Sequence, residues 1–342
     1  MQFNRIGALL WFGAVSASAS AASFVDLSTY SLVNRYALPQ QSGAGLANFL
    51  AQEASGVTWN RATNSLFIVG DGSRAIVQVS LTGQLIDVMT LGLDASKPQG
   101  TAYYDLEGIT AAGNNQFIVA EERLRTMSLI SYTPNNATPL SYSGSQHVKL
   151  GTSVGNIGIE GLSWDPLTGG IIAVKEASPQ GIFQTTLDFV AGSASNGSAT
   201  TVNSTNLFNP QLAFNAGLAD FADVFALSNL AGIGVADQAN LLILSQESGK
   251  IIEVDRAGNV MSQLTIALLP NTGGLSVQDQ QHEGLTMDDR GYLYLVSENG
   301  GGDINHPELW VYAPVPEPQS IAMLLVGLGV IGTLVRRRVR QA

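Results

Sequence analysis

Short apolar runs recur along the chain, and each follows a stretch in which apolar and polar residues alternate. Tight-turn sequences separate the two, as at residues 165–169 and 288–291. Alternation, a turn and a run rich in β-branched residues predict a hairpin of an inner strand and a buried strand. Such runs occupy residues 66–69, 117–120, 171–174, 241–244 and 293–296. Third strands are predicted after three of them, at Ala75–Val79, Gly181–Thr185 and Lys250–Val254.

A glycine near the start of each predicted inner strand defines an internal repeat. These glycines are Gly56, Gly108, Gly161, Gly232 and Gly284, with spacings of 52, 53, 71 and 52 residues. Short strands in repeats of this length, without helical periodicity, are typical of β-propeller blades. The sequence therefore predicts an all-β chain in which residues 23–314 form a five-bladed β-propeller of four antiparallel strands per blade. A six-bladed ring and a β-sandwich are the alternatives.

Two segments fall outside the regular repeat. We expect residues 30–38 to form a strand that pairs with the last blade and closes the ring, although they could instead belong to a degenerate sixth blade. The spacing of 71 marks an insertion of about 19 residues. The Ser-, Asn- and Gly-rich residues 191–206 are predicted to form this insertion as a loop.

Charge and composition narrow the function. The chain has 16 Lys and Arg against 27 Asp and Glu, a net charge of −11, and the body between the two ends carries about −15. The body has no cluster of basic residues that could bind phosphates, so we expect no nucleic-acid partner. The absence of cysteine excludes disulfides, thiolate metal sites and cysteine nucleophiles. Divalent cations or basic molecules suit such a body better.

Both ends of the chain have the composition of sorting signals. Residues 1–22 combine a basic start, a short apolar run and small residues that fit signal-peptide cleavage. Near the other end, a Pro-Glu-Pro motif at 316–318 precedes an uncharged segment, 319–335, and an arginine cluster. This order resembles the PEP-CTERM sorting signal, and residues 315–342 are predicted to hold a transmembrane helix and an Arg-rich tail. A permanent membrane anchor at either end is the alternative.

The resemblance to PEP-CTERM proteins implies a route for the chain. An exosortase-type enzyme would cut near the Pro-Glu-Pro motif after transient insertion of the C-terminal helix into the inner membrane. The product would then be periplasmic, attached to the cell surface or extracellular.

Carboxylates recur at two positions of the repeat. Glu107, Glu160 and Glu283 directly precede the repeat glycine, whereas the first unit has Glu53 two positions earlier and the fourth has Ala231. A second acid follows the buried run of each unit, as Asp71, Glu121 with Glu122, Glu176, Glu247 and Glu298. Because the first strand of an antiparallel hairpin begins beside the end of the second, both acids are expected at the same end of each sheet.

Rotation of the blades about a common axis would gather these acids around one mouth of the channel. Carboxylates so concentrated raise one another's pKa unless a cation offsets their repulsion. Ca²⁺ is the predicted cation, because it takes about six to eight oxygen ligands in a flexible geometry. The predicted ligands are Glu53, Glu107, Glu122, Glu160, Glu176, Glu283 and Glu298. The alternative is that each glutamate binds only the backbone of the next blade, as a structural latch.

The repeat motifs resemble those of the SdiA-regulated (YjiK-like) proteins. The similar segments are L-E-G-I at residues 106–109, I-E-G-L at 159–162 and H-E-G-L at 282–285, each with an acid after the following buried run. The resemblance covers about residues 45–313 and implies a five-bladed propeller with calcium in a site common to the family. It implies no established reaction. The fourth unit departs from the pattern, because residues 229–232 lack the glutamate.

The sequence thus favours an exported, calcium-binding propeller that acts as a binding or scaffolding protein of the cell surface or exopolysaccharide matrix. Its expected partner is an extracellular polysaccharide or a matrix protein. The alternative is a metal-dependent hydrolase, phytase-like or lactonase-like, that uses the same acidic site. Glu122, Glu176 and Glu298 are then the candidates for the catalytic base.

Overall fold

The computed structural model describes residues 25–40, 50–153, 155–176, 179–195, 206–266, 275–300 and 306–315. The predicted signal peptide and the C-terminal apolar segment lie outside these residues. Within them, five antiparallel sheets and a separate two-stranded ribbon are formed. The described part of the chain contains no helix that is long and apolar enough to cross a membrane.

The strands are short and follow one another with few helical residues between them. In chain order they are β1 (Tyr30–Ala37), β2 (Ala54–Asn60), β3 (Ser65–Gly70), β4 (Ala75–Val79), β5 (Leu85–Thr90), β6 (Leu106–Gly113), β7 (Gln116–Glu121), β8 (Thr126–Ser131), β9 (Gln146–Lys149), β10 (Gly161–Asp165), β11 (Gly170–Lys175), β12 (Gly181–Thr185), β13 (Leu187–Asp188), β14 (Ser193–Ala194), β15 (Asp223–Ala226), β16 (Leu241–Ser245), β17 (Lys250–Val254), β18 (Val260–Thr265), β19 (His282–Met287), β20 (Leu293–Ser297) and β21 (Glu308–Pro314). The helical elements are α1 (Pro210–Phe214) and three 3-10 turns at Leu27–Thr29, Tyr142–Gly144 and Leu227–Asn229.

The sheets are the five blades of a propeller, as predicted. Blades one to four are β2–β5, β6–β9, β10–β12 and β15–β18, and blade five is β19–β21 completed by β1. The inner strands β2, β6, β10, β15 and β19 contact one another in that cyclic order. Strand β1 pairs antiparallel with β21, from Tyr30 opposite Pro314 to Ala37 opposite Glu308. The prediction that residues 30–38 close the ring is confirmed.

Blade three is the exception to the four-strand pattern. Its sheet has three described strands, and the chain then forms the β13–β14 ribbon. Ser195 N donates to Thr186 O at 2.8 Å, so the ribbon is attached to the end of β12 and does not run beside it. Part of the predicted loop at 191–206 is therefore strand β14, and residues 196–205 lie outside the described residues.

Apolar cores lie between adjacent blades. Leu242 and Leu264 of blade four, for example, pack with Leu285 and Leu295 of blade five. Equivalent clusters occupy the four other blade junctions. Burial of these side chains on both faces of each sheet explains why the second strands are continuous apolar runs.

The repeat glycines allow the inner strands to approach closely. A Cβ atom on Gly56 would lie 2.7 Å from the carbonyl oxygen of Glu107 in the next blade. One on Gly284 would lie 2.7 Å from the carbonyl oxygen of Ser55. Because these contacts are with backbone, a side chain could be accommodated only by moving a strand.

Blade four has a different register from the predicted one. Gly232 lies beyond the 3-10 turn at Leu227–Asn229, outside any strand. Instead, Asp223 pairs with Leu244 in the way that Gly161 pairs with Val174 in blade three. The prediction that Gly232 starts this blade was wrong. Residues 230–233 (L-A-G-I) match the repeat motif in sequence, but the residues that pair with β16 are 223–226.

Hydroxyl groups join most neighbouring inner strands. Thr58, Thr110, Ser163 and Thr286 accept hydrogen bonds of 2.8–3.1 Å from the backbone N–H groups of Ala111, Trp164, Ala226 and Trp59, respectively. Blade four has Phe225 at this position. There Asp223 accepts from Leu285 N at 2.8 Å, so a buried carboxyl joins blade four to blade five.

Candidate metal centre

One mouth of the channel is an acidic cavity of about 370 Å³. It forms where the inner strands begin and the second strands end, as the hairpin geometry predicts. The carboxylates among its described lining residues are Asp71, Glu107, Glu160, Glu176, Asp220, Glu247, Glu283 and Glu298. Against these eight acids, Arg123 is the single basic lining residue among those described.

Five of the seven predicted ligands line this cavity. Glu107 and Glu283 lie near the starts of β6 and β19, and Glu160 directly precedes β10. Glu176 and Glu298 follow the ends of β11 and β20. The fold thus brings together side chains that are up to about 190 residues apart in the sequence.

Glu53 and Glu122 are not among the lining residues. Ser55 occupies the lining position in blade one, and Glu53 lies beside Asp71, where its charge raises the pKa of the Asp71 carboxyl. Glu122 is 1% exposed, and its Oε1 accepts from Gly158 N at 2.7 Å. Glu122 therefore bonds the backbone leading into the next blade, which is the geometry of a latch.

Sequence reasoning missed Asp71 and Asp105 as candidate ligands. Asp71, Asp105 and Glu107 each place one carboxylate oxygen within 4.8 Å of the others, close enough to share an ion. Asp105 stands three residues before Gly108, as Glu53 stands three before Gly56, and both have left-handed backbone (φ 64° and 48°). Alignment of these two acids by the repeat glycine was the signal that could have found Asp105.

The basic side chain on the wall is already paired. Arg123 donates to Oδ1 of Asp105 and to Oδ1 of Asn156. Asp105 also accepts from Arg123 N at 3.2 Å. Arg123 thus offsets the charge of Asp105, which lies behind the wall, and the eight described lining acids have no unpaired lining base to compensate them.

Blade four contributes differently from the others. Ala222 takes the glutamate position and lines the cavity without a charge. Asp220, from the segment before β15, supplies the carboxylate and accepts from Glu247 N at 3.1 Å and Gln246 N at 3.2 Å. Because backbone N–H groups already bind Asp220, it is less available for a cation than a lining acid without such donors.

Burial and mutual repulsion favour protonation of the cavity acids. Desolvation, then the charges of Glu53 and Asp105, raise the pKa of Asp71 to about 7. Desolvation and the charges of Asp71 and Glu53 raise the pKa of Glu298 to about 8. For Glu107, Glu160 and Glu283, desolvation and neighbouring carboxylates raise the pKa well above its usual range.

Several of these oxygens lack a hydrogen-bond donor. Among the described residues, no donor reaches the buried atoms Asp71 Oδ1, Glu122 Oε2 or Glu160 Oε1. Buried acceptors are normally satisfied, and an unmet carboxylate oxygen is costly. The cavity offers oxygen ligands only, which suits Ca²⁺ or Mg²⁺ and not a metal that prefers nitrogen or sulfur. The residues present therefore fit a hard divalent cation.

Fold and site together define a five-bladed β-propeller with a carboxylate-lined mouth. The chain belongs to the SdiA-regulated family, whose model matches residues 34–300. A PEP-CTERM protein-sorting motif matches residues 314–339. This sorting motif indicates export to the cell surface or the exterior, with processing by an exosortase-type enzyme.

The solved structures to which this chain is similar are remote in sequence. A luciferin-regenerating enzyme is 12% identical, with a TM-score of 0.44, over 77% of this chain and 92% of that one. A gluconolactonase from Xanthomonas campestris is 13% identical, with a TM-score of 0.43, over 84% and 99%. Virginiamycin B lyase from Staphylococcus aureus is 11% identical, with a TM-score of 0.33, over 77% and 66%. At this distance, they assign no residue or activity to the present chain.

Proposed function

We propose that this exported propeller binds Ca²⁺ at its acidic mouth and acts as a binding or scaffolding protein of the cell surface or extracellular matrix. The observation that carries the proposal is the cavity itself. Eight carboxylates and one arginine line it among the residues that the structure describes, and two of these acids have buried oxygens that no described donor reaches. A bound cation would remove the repulsion that otherwise keeps these groups protonated.

The proposed ligands begin with the closest group, Asp71, Asp105 and Glu107. Glu160, Glu283 and Glu298 line the same cavity and would complete an oxygen-rich shell. Ca²⁺ is preferred to Mg²⁺ because the acids come from separate blades and the larger ion accepts irregular coordination. Glu53 and Glu122 are assigned to the surrounding support and not to the cation.

A calcium-loaded mouth suits a scaffolding role at the cell exterior. Calcium ligated by side chains from several blades would tie those blades together. It would also reduce the negative charge that this end of the propeller presents to an acidic polysaccharide or matrix protein. Any coordination position left open by the protein could then accept a carboxylate or hydroxyl oxygen from such a partner.

Thermal unfolding of residues 23–315 tests the cation site. A ligand that binds only the folded state raises the unfolding midpoint by mass action. We expect a saturable rise with Ca²⁺ after EDTA treatment, a smaller one with Mg²⁺, and loss of the rise in Glu107→Gln. Glu253→Gln is the control, because Glu253 is buried in an outer strand and bonded to Asn240 and Ser262. No rise in protein shown by metal analysis to be calcium-free would contradict the proposal.

A metal-dependent hydrolase is the second candidate function, and one observation favours it. Glu298 lines the open cavity together with the proposed ligands, so its carboxylate is placed to take a proton from a water molecule held there, as a general base does. Glu176 has the equivalent place in blade three. Phosphate esters and lactones should then be hydrolysed in the presence of Ca²⁺, and Glu298→Gln should lower turnover by a much larger factor than it lowers calcium affinity.

A further inference from the structure

A second cavity, of about 490 Å³, opens at the opposite mouth of the channel. The inner strands run from the acidic mouth to this one. In blades one, two, three and five, the residue three positions after the repeat glycine lines the cavity, as Trp59, Ala111, Trp164 and Met287. No described lining residue is shared with the acidic cavity. We call this end the aromatic mouth.

The two tryptophans of the aromatic mouth are half-buried and held in place. Trp59 packs against the core between blades five and one, and Trp164 against the core between blades two and three. Their backbone N–H groups donate to Thr286 Oγ1 and Thr110 Oγ1, at 3.1 Å and 2.8 Å. Two large rings on blades one and three are thus anchored from behind and available from the cavity.

Charged groups at the aromatic mouth neutralise each other. Arg61 lies over the ring of Trp59, 5.5 Å from its centroid, and donates to both Asp289 oxygens at 2.6 and 2.7 Å. Arg61 also donates to Asn229 O at 2.6 Å, and Asn229 Nδ2 donates to Trp164 O at the same distance. This network links the surroundings of both tryptophans and leaves the pocket without net charge from these groups.

Two adjacent asparagines complete the rim. Asn114 and Asn115 form the turn between β6 and β7, with left-handed φ values of 50° and 57°. Both are exposed and line the cavity. Their side-chain amides make no hydrogen bond to any described residue, so each offers a donor and an acceptor to a ligand.

We propose that the aromatic mouth binds a neutral saccharide. The apolar C–H face of a pyranose ring packs on an indole ring, and its hydroxyl groups pair with amides that both donate and accept. A pocket of this size, with aromatic walls and a few fixed polar groups, is suited to a small ligand. Paired charges give no attraction for an anionic sugar. The inference does not depend on the cation proposed for the other mouth.

Tryptophan fluorescence provides the first test. Once the predicted signal peptide is removed, the remaining tryptophans are Trp59, Trp164 and the fully buried Trp310. Cellotriose, maltotriose and mannotriose would be titrated into residues 23–315, a segment within which β1 and β21 complete the ring. We expect at least one neutral trisaccharide to change the emission saturably, with or without EDTA, and trigalacturonate to have no effect.

Variants compared by saturation-transfer NMR decide whether the pocket is responsible. Trp164→Ala should weaken binding by about tenfold or more, and Trp164→Phe, which keeps a ring, by less. Tyr292→Ala is the matched control: Tyr292 is 36% exposed and carries Arg290 at 4.9 Å from its ring, but it does not line the cavity. Circular dichroism would confirm that each variant is folded.

Two results would overturn the proposal. One is the absence of saturable binding of all three neutral trisaccharides at about 10 mM, a concentration at which even millimolar affinity is detected. The other is unchanged affinity in folded Trp59→Ala and Trp164→Ala. A synthetic peptide of residues 313–320, which contains the Pro-Glu-Pro motif, serves as competitor. If the peptide binds and none of the sugars does, the first result holds and the mouth is assigned to a proline-containing segment.

Discussion

The two mouths of one channel have opposite chemistry although the same five inner strands build both. At one end, eight carboxylates and one arginine line the wall within the described part of the chain. At the other, Trp59 and Trp164 face a pocket in which Arg61 is neutralised by Asp289. The difference depends on which position of the strand repeats. The position before the repeat glycine is an acid in several blades, so acids accumulate at one mouth. The position three residues after the glycine differs from blade to blade.

This contrast separates a collective site from an individual one. At the acidic mouth, no single glutamate defines the site, and its properties come from charges that several blades bring together. At the aromatic mouth, two particular rings and one hydrogen-bonded network define the pocket. Changes that move the inner strands should therefore affect both mouths, and changes at either end should affect only one.

The largest expected effect is from Gly56→Ala, which should damage both mouths. The added Cβ would lie 2.7 Å from Glu107 O, a backbone atom that cannot turn aside. Overpacking of this kind costs about 3 kcal/mol of unfolding free energy. Urea unfolding measures it. Gly155→Ala is the control, since no atom of the described residues beyond its chain neighbours lies within 4 Å of its Cβ position. Equal stability of the two variants would refute the close-approach argument.

The next effect concerns the junction of blades four and five. Asp223 has taken the place of a repeat glycine and accepts from Leu285 N and Val224 N, both at 2.8 Å. Asp223→Ala leaves these buried donors unmet and should cost about 2 kcal/mol. Asp223→Asn retains an acceptor and should cost less. If urea unfolding shows the two variants to be equally stable, this carboxyl does not join the blades.

A third prediction uses pH to distinguish the acidic mouth from the rest of the propeller. The folded-state pKa values of Asp71 and Glu298 are raised to about 7 and 8. Raised pKa values mean that the protonated form is favoured by folding, so this contribution is complete below about pH 4 and is lost as pH rises to about 8. In EDTA, the unfolding midpoint of Glu298→Gln should therefore fall less than that of the wild type between pH 5 and pH 8.

In the presence of Ca²⁺, we expect the opposite pH trend. Because the ion binds the ionised carboxylates, its stabilising effect should grow between pH 5 and pH 8. The same thermal scans, repeated at saturating Ca²⁺, measure this. Parallel pH profiles with EDTA and with Ca²⁺ would show that the cation does not bind these groups.

The smallest effect is expected from Arg123→Gln, which removes a positive charge from the wall of the acidic mouth. Loss of the guanidinium leaves Asp105 without its ion pair and removes the basic lining residue. Calcium affinity, measured by calorimetry, should rise by about threefold to tenfold, since a nearby positive charge opposes cation binding. Arg61→Gln at the aromatic mouth should leave that affinity unchanged. A decrease with Arg123→Gln would mean that Arg123 positions the ligands.

Much of this architecture could be predicted because it is local in the chain. Each hairpin joins consecutive strands, so alternation, turns and a recurring glycine were sufficient to predict five blades. The strand that closes the ring pairs across nearly the whole chain, and its prediction came from its position outside the repeat. The gathering of Glu107, Glu160 and Glu283 at one mouth followed from the same register. Blade four was misassigned because Gly232 has the local motif without the strand pairing, whereas Asp223 has the pairing without the glycine.

The sequence by itself determined the fold class, the order of the strands, the end of the sheets at which acids accumulate and the sorting signal near the C-terminal end. Only the tertiary structure decided which acids meet, that Asp105 joins Asp71 and Glu107, that Arg123 is paired, and that Trp59 and Trp164 share a pocket. The reason is physical. Pairing within a blade depends on neighbours along the chain. Contacts between blades join residues that are distant in the sequence, such as Asp71 with Asp105 or Trp59 with Trp164, and their separation is fixed only when the blades pack into the ring.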